Sequence, residues 1–302
     1  MSDPIKLALL GKNLTHSVSP ELHQLLYKMQ GRNEFSSMRD RSLVYGLVNC
    51  EAECDVAQWM KTATANGFTG ANITRPYKEL ARRLATQVTP FSEWSDSVNT
   101  LSFSGDEVVG ESTDGAGLLY ALQRECGEIE LSDMEWYIYG FGGAARSCLT
   151  KLLEVFRPRS LSIFVRTSDI VADTAKHILQ ITGRQSVPVQ VVPFESAIED
   201  SRTKFVLQTT PLGQKGYAGF AFSLIKWKEE DIAVDLVYNP LKTAFLQRAQ
   251  QEGAMTMGGM GMLIEQAALA QCFWFIGRLP NESPLESGEY LSIKSYLTNL
   301  LS

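Results

Sequence analysis

Two α/β domains flanking a cleft are the fold class this sequence predicts. Three observations carry the expectation: short apolar runs alternate with stretches of helical periodicity, the alternation restarts at Trp136, and the restart leads into a run of glycines. A length of 302 residues suits two cores at about 150 residues each. The expected division puts residues 1–113 in a first domain, completed by helices within 258–302, and residues 114–257 in a second.

Ile5 to Leu10 is an apolar run stopped by Gly11, brief enough for a buried parallel strand. A loop from Lys12 to Ser19 follows. Pro20 then opens a helix to Met29 behind a Ser19 cap, with Leu22, Leu25, Leu26 and Met29 at helical spacing. Leu43 to Val48 reads as a strand, Glu51 to Asn66 as an amphipathic helix, and Gly67 to Ile73 as a strand running into Thr74-Arg75-Pro76. After Asn99-Thr100, Ser104-Gly105-Asp106 supplies hairpin turn chemistry, and Gly110 to Gly117 opens a helix over Leu118 to Glu125. Beyond Trp136 to Tyr139, strands are expected at Ser160–Val165, Val187–Val192, Phe205–Gln208 and Ile232–Asp235. The helices at Leu263–Ile276 and Tyr290–Leu300 come after those strands and are expected to pack back on the first domain.

Charge argues against nucleic acid: 28 Lys+Arg against 34 Asp+Glu leave −6, with no basic run to displace counterions from a phosphate backbone. Five scattered cysteines and three histidines (His16, His23, His177) offer no metal-ligand spacing, so no metal and a reducing, cytoplasmic setting are expected. No apolar stretch approaches a membrane span or a signal segment.

Gly140-Phe141-Gly142-Gly143-Ala144-Ala145 lies between a predicted strand and a predicted helix. Small residues there let backbone approach a pyrophosphate whose charge faces the helix N-terminus, the Rossmann-type arrangement for a dinucleotide. About twenty residues on, where an NAD site carries an acid for the ribose, the chain instead reads Val165-Arg166-Thr167. A guanidinium and a hydroxyl suit a 2′-phosphate, which makes NADP (as NADPH) the expected cofactor.

In the first domain three polar clusters fall at predicted strand ends: His16 to Pro20, Asn72 to Lys78, and Ser112 to Gly115. Ser17 and Ser19, spaced by one residue, can both donate to one carboxylate. Lys78 and Asp114 supply a proton donor and a carboxylate to orient it, the pair that acid-base work at a carbonyl needs. Each also has an ordinary reading, as helix cap, surface charge or turn.

Together these stretches resemble the shikimate dehydrogenase family, which includes quinate dehydrogenases, along nearly the whole chain. That family's patterns run H-S-x-S-P-x-x-H, N-x-T-x-P-x-K, V-N-T, N-T-D-G, G-x-G-G-A-A, N-R-T, T-P-x-G and G-x-x-M-L-x-x-Q-A. This chain has His16 to His23, Asn72 to Lys78, Val98 to Thr100, Ser112 to Gly115, Gly140 to Ala145, Val165 to Thr167, Thr210 to Gly213 and Gly259 to Ala267 in those places. The resemblance implies reversible, NADPH-dependent reduction of 3-dehydroshikimate to shikimate on the route to aromatic amino acids. It implies Lys78 as catalytic lysine with Asp114 as its partner, and shikimate contacts from Ser17, Ser19, Thr74, Asn99, Asp114, Tyr238 and Gln266. Gly140, Gly142, Gly143, Ala144, Ala145, Arg166, Thr167, Thr209 and Gly259 are the implied cofactor positions.

The chain departs from the patterns at Ser112 and Val165, each in place of asparagine, and at Asp96-Ser97 in place of Gly-Ala. A quinate or quinate/shikimate dehydrogenase and a non-catalytic nucleotide-binding regulator are the alternatives. Both small serines favour shikimate over quinate, and Lys78 with Asp114 favours an enzyme. A monomer or homodimer acting on a small molecule is expected.

Overall fold

The computed structural model describes residues 3–30, 41–166, 171–194, 196, 198, 202–217 and 225–301. The chain divides into two compact units, Met1–Gly117 with Ile264–Leu300, and Leu118–Leu263 with Leu301–Ser302.

The first unit is built from β1 (Ile5–Gly11), α1 (Ser19–Gln30), β2 (Leu43–Asn49), α2 (Glu53–Ala63), β3 (Phe68–Ile73), α3 (Lys78–Leu84), β4 (Gln87–Val88), α4 (Pro90–Ser95), β5 (Thr100–Ser104), β6 (Glu107–Glu111) and the start of α5 (Asp114–Cys126). Its sheet has the order β2-β1-β3-β5-β6-β4. The first three strands are parallel, whereas β5 runs antiparallel to both β3 and β6. Strand alternation sorts β1 between two cores: Leu7 and Leu9 pack with Tyr45, Tyr27, Trp274 and Phe275, while Ala8 and Leu10 pack with Val56, Met60 and Leu80. A strand buried on both faces is apolar on both, which is why Leu7 to Leu10 shows no polar alternation, while Lys6 near the strand start is only half-buried.

The second unit carries β7 (Glu135–Tyr139), α6 (Gly143–Val155), β8 (Ser160–Val165), α7 (Val171–Ile181), β9 (Val189–Pro193), β10 (Lys204–Gln208), β11 (Ile232–Asp235), α8 (Ala244–Gln251) and β12 (Met255–Met257). All six strands are parallel in the order β12-β11-β10-β7-β8-β9. That is the doubly wound Rossmann order, with its topological switch between β7 and β10. Two helices close the chain, α9 (Met260–Ile276) and α10 (Ser287–Leu301). The unit division falls inside α5 and α9, four and six residues away from the sequence boundaries at 113 and 258.

Several local expectations shift. Gly110 and Glu111 belong to β6, paired with Leu101 and Thr100, so the following helix opens only at Asp114. Ser19 is inside α1, and the Ser17 hydroxyl accepts its N–H at 3.3 Å. Helix α2 starts later than expected because Asp55 turns back to accept from the N–H groups of Glu51 and Ala52 at 2.8 and 2.9 Å. The unexpected Asp96 ends α4 with φ 46°, the left-handed backbone that glycine suits and that Asp tolerates better than most residues. Ser97, which follows it, is fully buried.

Candidate active site

Two charged residues each open a helix at a strand end. Ile73 ends β3 and the turn after it delivers Lys78 to the first position of α3; Glu111 ends β6 and delivers Asp114 to the first position of α5. Because β5 lies between these strands, with Asn72 opposite Thr100 and Thr100 opposite Glu111, the residue preceding it, Asn99, sits beside both. Lys78 Nζ donates to Asp114 Oδ2, and Asn99 Nδ2 donates to Asp114 Oδ1 at 3.0 Å. The side chains of Lys78 and Asp114 are 13% and 6% exposed, so each charge depends on the other rather than on bulk water. An anion at a helix N-terminus is favoured by the peptide dipoles, whereas the Lys78 cation at the start of α3 is not. The carboxylate holds it there.

Asn99 is the hub. Its Oδ1 accepts from the Thr113 N–H at 2.8 Å, and its Nδ2 also lies 2.9 Å from Thr113 Oγ1 and 3.3 Å from Gln266 Oε1. Gln266 comes within reach because Gly117, one turn into α5, has no side chain: a Cβ there would lie 2.8 Å from the Gln266 backbone nitrogen. Behind the site the buried Glu111 carboxylate accepts from the Ser112 N–H at 2.7 Å and from Thr89 and Ser92 hydroxyls at 3.0 and 3.2 Å, which fixes the strand end that carries Asp114. Ser112 is itself fully buried in this support.

The loop after β1 places Ser17 and Ser19 together, with Oγ atoms 3.1 Å apart and both half-buried. Thr74 follows the neighbouring strand, its N–H donating to Leu10 O at 2.9 Å. The first unit therefore gathers Lys78, Asp114, Asn99 and Gln266 into one hydrogen-bonded set, with the serine pair and Thr74 at the ends of adjacent strands β1 and β3.

In the second unit Gly140 follows β7 with φ +90°, and a Cβ there would meet Thr209 Oγ1 at 2.7 Å. Thr209 donates its hydroxyl to Tyr139 O at 2.7 Å, locking the ends of β7 and β10 side by side at the switch point. Gly142 caps α6, and a Cβ on it would meet nothing within 4 Å, so the side facing the helix start is open. The first-turn N–H groups of Gly143, Ala144 and Ala145 have no acceptor one turn earlier within the helix. Arg146 is buried and donates to Phe141 O at 3.2 Å, bracing the glycine turn; nothing in the glycine spacing marked it. Arg166 is exposed at the end of β8, next to β7, while Thr167 lies outside the described residues. Gly259 donates its N–H to Val237 O at 3.1 Å, which sets it against the loop that carries the half-buried Tyr238. Asp235, at the foot of that loop, is pushed up to about 6 by burial, although Thr243 and the Val237 N–H bond to it. These residues fit a dinucleotide: an open helix start for the pyrophosphate, a backbone turn that only glycine permits, and an exposed arginine one strand away.

A family model described as the shikimate dehydrogenase substrate binding domain matches residues 9–101. A protein named shikimate dehydrogenase (NADP(+)) from Salinibacter ruber is 32% identical over 277 residues, covering 89% of this chain and 91% of that one. Its namesake from Bacillus licheniformis is also 32% identical, over 92% of this chain and 94% of that one. Among solved structures, a shikimate dehydrogenase in complex with NADP+ superposes with a TM-score of 0.81 at 26% identity, covering 99% of this chain and 96% of that one.

Proposed function

The chain belongs to the shikimate dehydrogenase family, and from that premise we propose that it is an NADP-dependent dehydrogenase interconverting shikimate and 3-dehydroshikimate, with Lys78 and Asp114 as its catalytic pair. The observation that carries the reading is the bonded set of Lys78, Asp114, Asn99 and Gln266, a cation and a carboxylate held in fixed orientation with little water around them.

Bound NADP(H) would supply the hydride-transfer chemistry. In the reducing direction Lys78 stabilises charge developing on the carbonyl oxygen and delivers a proton to it; in the oxidising direction it takes the hydroxyl proton. Asp114 orients Lys78, and Asn99 holds Asp114 by its second oxygen. Ser17 and Ser19 donate to the substrate carboxylate, a role their 3.1 Å separation supports, since one carboxylate can accept from both. Asn99, Asp114, Thr74, Tyr238 and Gln266 complete the proposed substrate contacts. Gly140, Gly142, Gly143, Ala144, Ala145, Thr209 and Gly259 would hold the cofactor's backbone-facing side, and Arg166 and Thr167 its 2′-phosphate. Cytoplasmic location and a state of one or two copies belong to the same proposal.

Absorbance at the reduced-nicotinamide band, followed on mixing the protein with NADP+ and shikimate or quinate, tests it. Growth with shikimate well above that with quinate is expected; no change with either contradicts an enzyme, and a preference for quinate contradicts the substrate.

A further inference from the structure

His23 and Asn72 stand in the motifs that mark the site, yet neither belongs to the catalytic pair or to the proposed substrate contacts. Both are buried: Asn72 lies on the face of the sheet that Leu9 shares with Leu7 and Tyr45, and His23 of α1 stacks on Tyr45. The Tyr45 hydroxyl donates to Asn72 Oδ1 at 2.8 Å. Asn72 Nδ2 donates onward to Asn99 O at 3.2 Å and to Thr100 Oγ1 at 3.1 Å, and Thr100 Oγ1 donates to Asn99 Oδ1 at 3.0 Å. Asn99 Nδ2 then reaches Asp114.

Backbone groups allow this chain only one polarity. Asn99 O is a carbonyl and can only accept, so Asn72 must present its NH2 to it and its oxygen to Tyr45, which must donate. The Thr113 N–H can only donate, so Asn99 must present its oxygen to it and its NH2 to Asp114. The Tyr45 ring is fixed in turn by stacking on His23, with centroids 4.3 Å apart and an interplanar angle of 11°. Gln271 of α9 holds the His23 carbonyl at 2.8 Å. Burial keeps the His23 imidazole neutral, down to about 3, so no charge enters this layer at working pH.

We propose that Tyr45 is a positioning residue for the reaction: through Asn72 and Thr100 it fixes the Asn99 amide that orients Asp114, and so sets the catalytic pair. The inference rests on the catalytic reading of Asp114 given above.

Tyr45→Phe removes the hydroxyl and keeps the ring on His23; Thr100→Val cuts the same chain nearer its end. Each is expected to lower kcat with shikimate and NADP+ by about tenfold, the worth of one well-placed hydrogen bond, while the Michaelis constants stay within about twofold. In an Asp114→Asn background the same changes are expected to have no further effect on kcat. A loss that persists in that background, or one confined to the Michaelis constants, overturns the proposal. Independently of turnover, the Asn99 side-chain amide signals in a 15N-labelled sample, identified by their absence from Asn99→Asp, are expected to move in both variants. Unmoved signals overturn the proposal even where the wild-type protein is active. A wild type inactive toward shikimate defeats the functional reading alone, and the amide signals still decide the positioning chain.

Discussion

Asn99 and Asp114 share a hydrogen bond of 3.0 Å that leaves the other carboxylate oxygen to Lys78, so the asparagine amide helps to set which way the carboxylate faces. The bond exists because β5 is antiparallel between β3 and β6, an arrangement that sets the start of one strand beside the ends of two others. Charge placement at this site is thus a consequence of sheet topology.

Gly117 is where two helices touch. Replacing it with alanine puts a methyl carbon within 3 Å of Gln266 atoms, and the helices must part to take it. Overpacking of this kind costs about 1–3 kcal/mol. A lower unfolding midpoint in denaturant, together with a raised Michaelis constant for shikimate as Gln266 withdraws, is the expected result. An unchanged midpoint contradicts the close approach.

Ser17→Ala and Ser19→Ala each remove one proposed donor to the substrate carboxylate. Each is expected to weaken shikimate binding by about 1–3 kcal/mol with cofactor affinity unaltered. Steady-state kinetics on the single variants check this, and normal Michaelis constants in both would put the carboxylate elsewhere.

Arg166 stands exposed at the end of β8, where an acid would select NAD. Arg166→Ala is expected to erode the preference for NADP+ over NAD+ by tenfold or more, since about 1.4 kcal/mol suffices and a charge-assisted phosphate contact supplies it. The ratio of kcat/KM for the two cofactors measures it. Preference unchanged by the substitution contradicts the assignment.

His23 gives the first unit an acid-sensitive core. Burial lowers it from 6.5 to about 3, so below pH 6.5 the unfolded chain takes up a proton that the folded one refuses. Its contribution to stability is therefore complete above pH 6.5 and is lost progressively as pH falls toward 3. Between pH 7 and pH 5 the loss is about 2 kcal/mol. Urea unfolding at the two values checks it, and His23→Phe, which keeps a ring against Tyr45, is expected to flatten the dependence. An equal slope in that variant would mean that other groups cause it.

What the sequence conveys and what it hides divide along the physics of each signal. Ser160–Val165 and Ile232–Asp235 match their strands residue for residue, because an apolar run between polar loops has one way to be buried in a parallel sheet. Helices α3 and α4 escape, being 7 and 6 residues long, too short for a periodicity to show. The motifs exposed Lys78, Asp114 and Asn99, yet the hub role of Asn99 depends on strand register, which motif spacing does not carry. Tyr45 is hidden for the same reason: it sits in an ordinary apolar run and meets Asn72 only once β1 is threaded between β2 and β3.

Lys78 and Asp114 are proposed to act as one unit, and turnover of shikimate with NADP+ in Lys78→Ala, Asp114→Ala and the double variant tests this most directly. Lys78→Ala is expected to lower kcat by about 100-fold to 10,000-fold, the range general acid-base catalysis supplies, with cofactor affinity nearly unchanged. Asp114→Ala is expected to cost both kcat and shikimate affinity. The double variant is expected to be little slower than Lys78→Ala alone, because losses within one unit do not multiply. Near-normal turnover in Lys78→Ala, or losses that multiply cleanly in the double variant, would contradict the account.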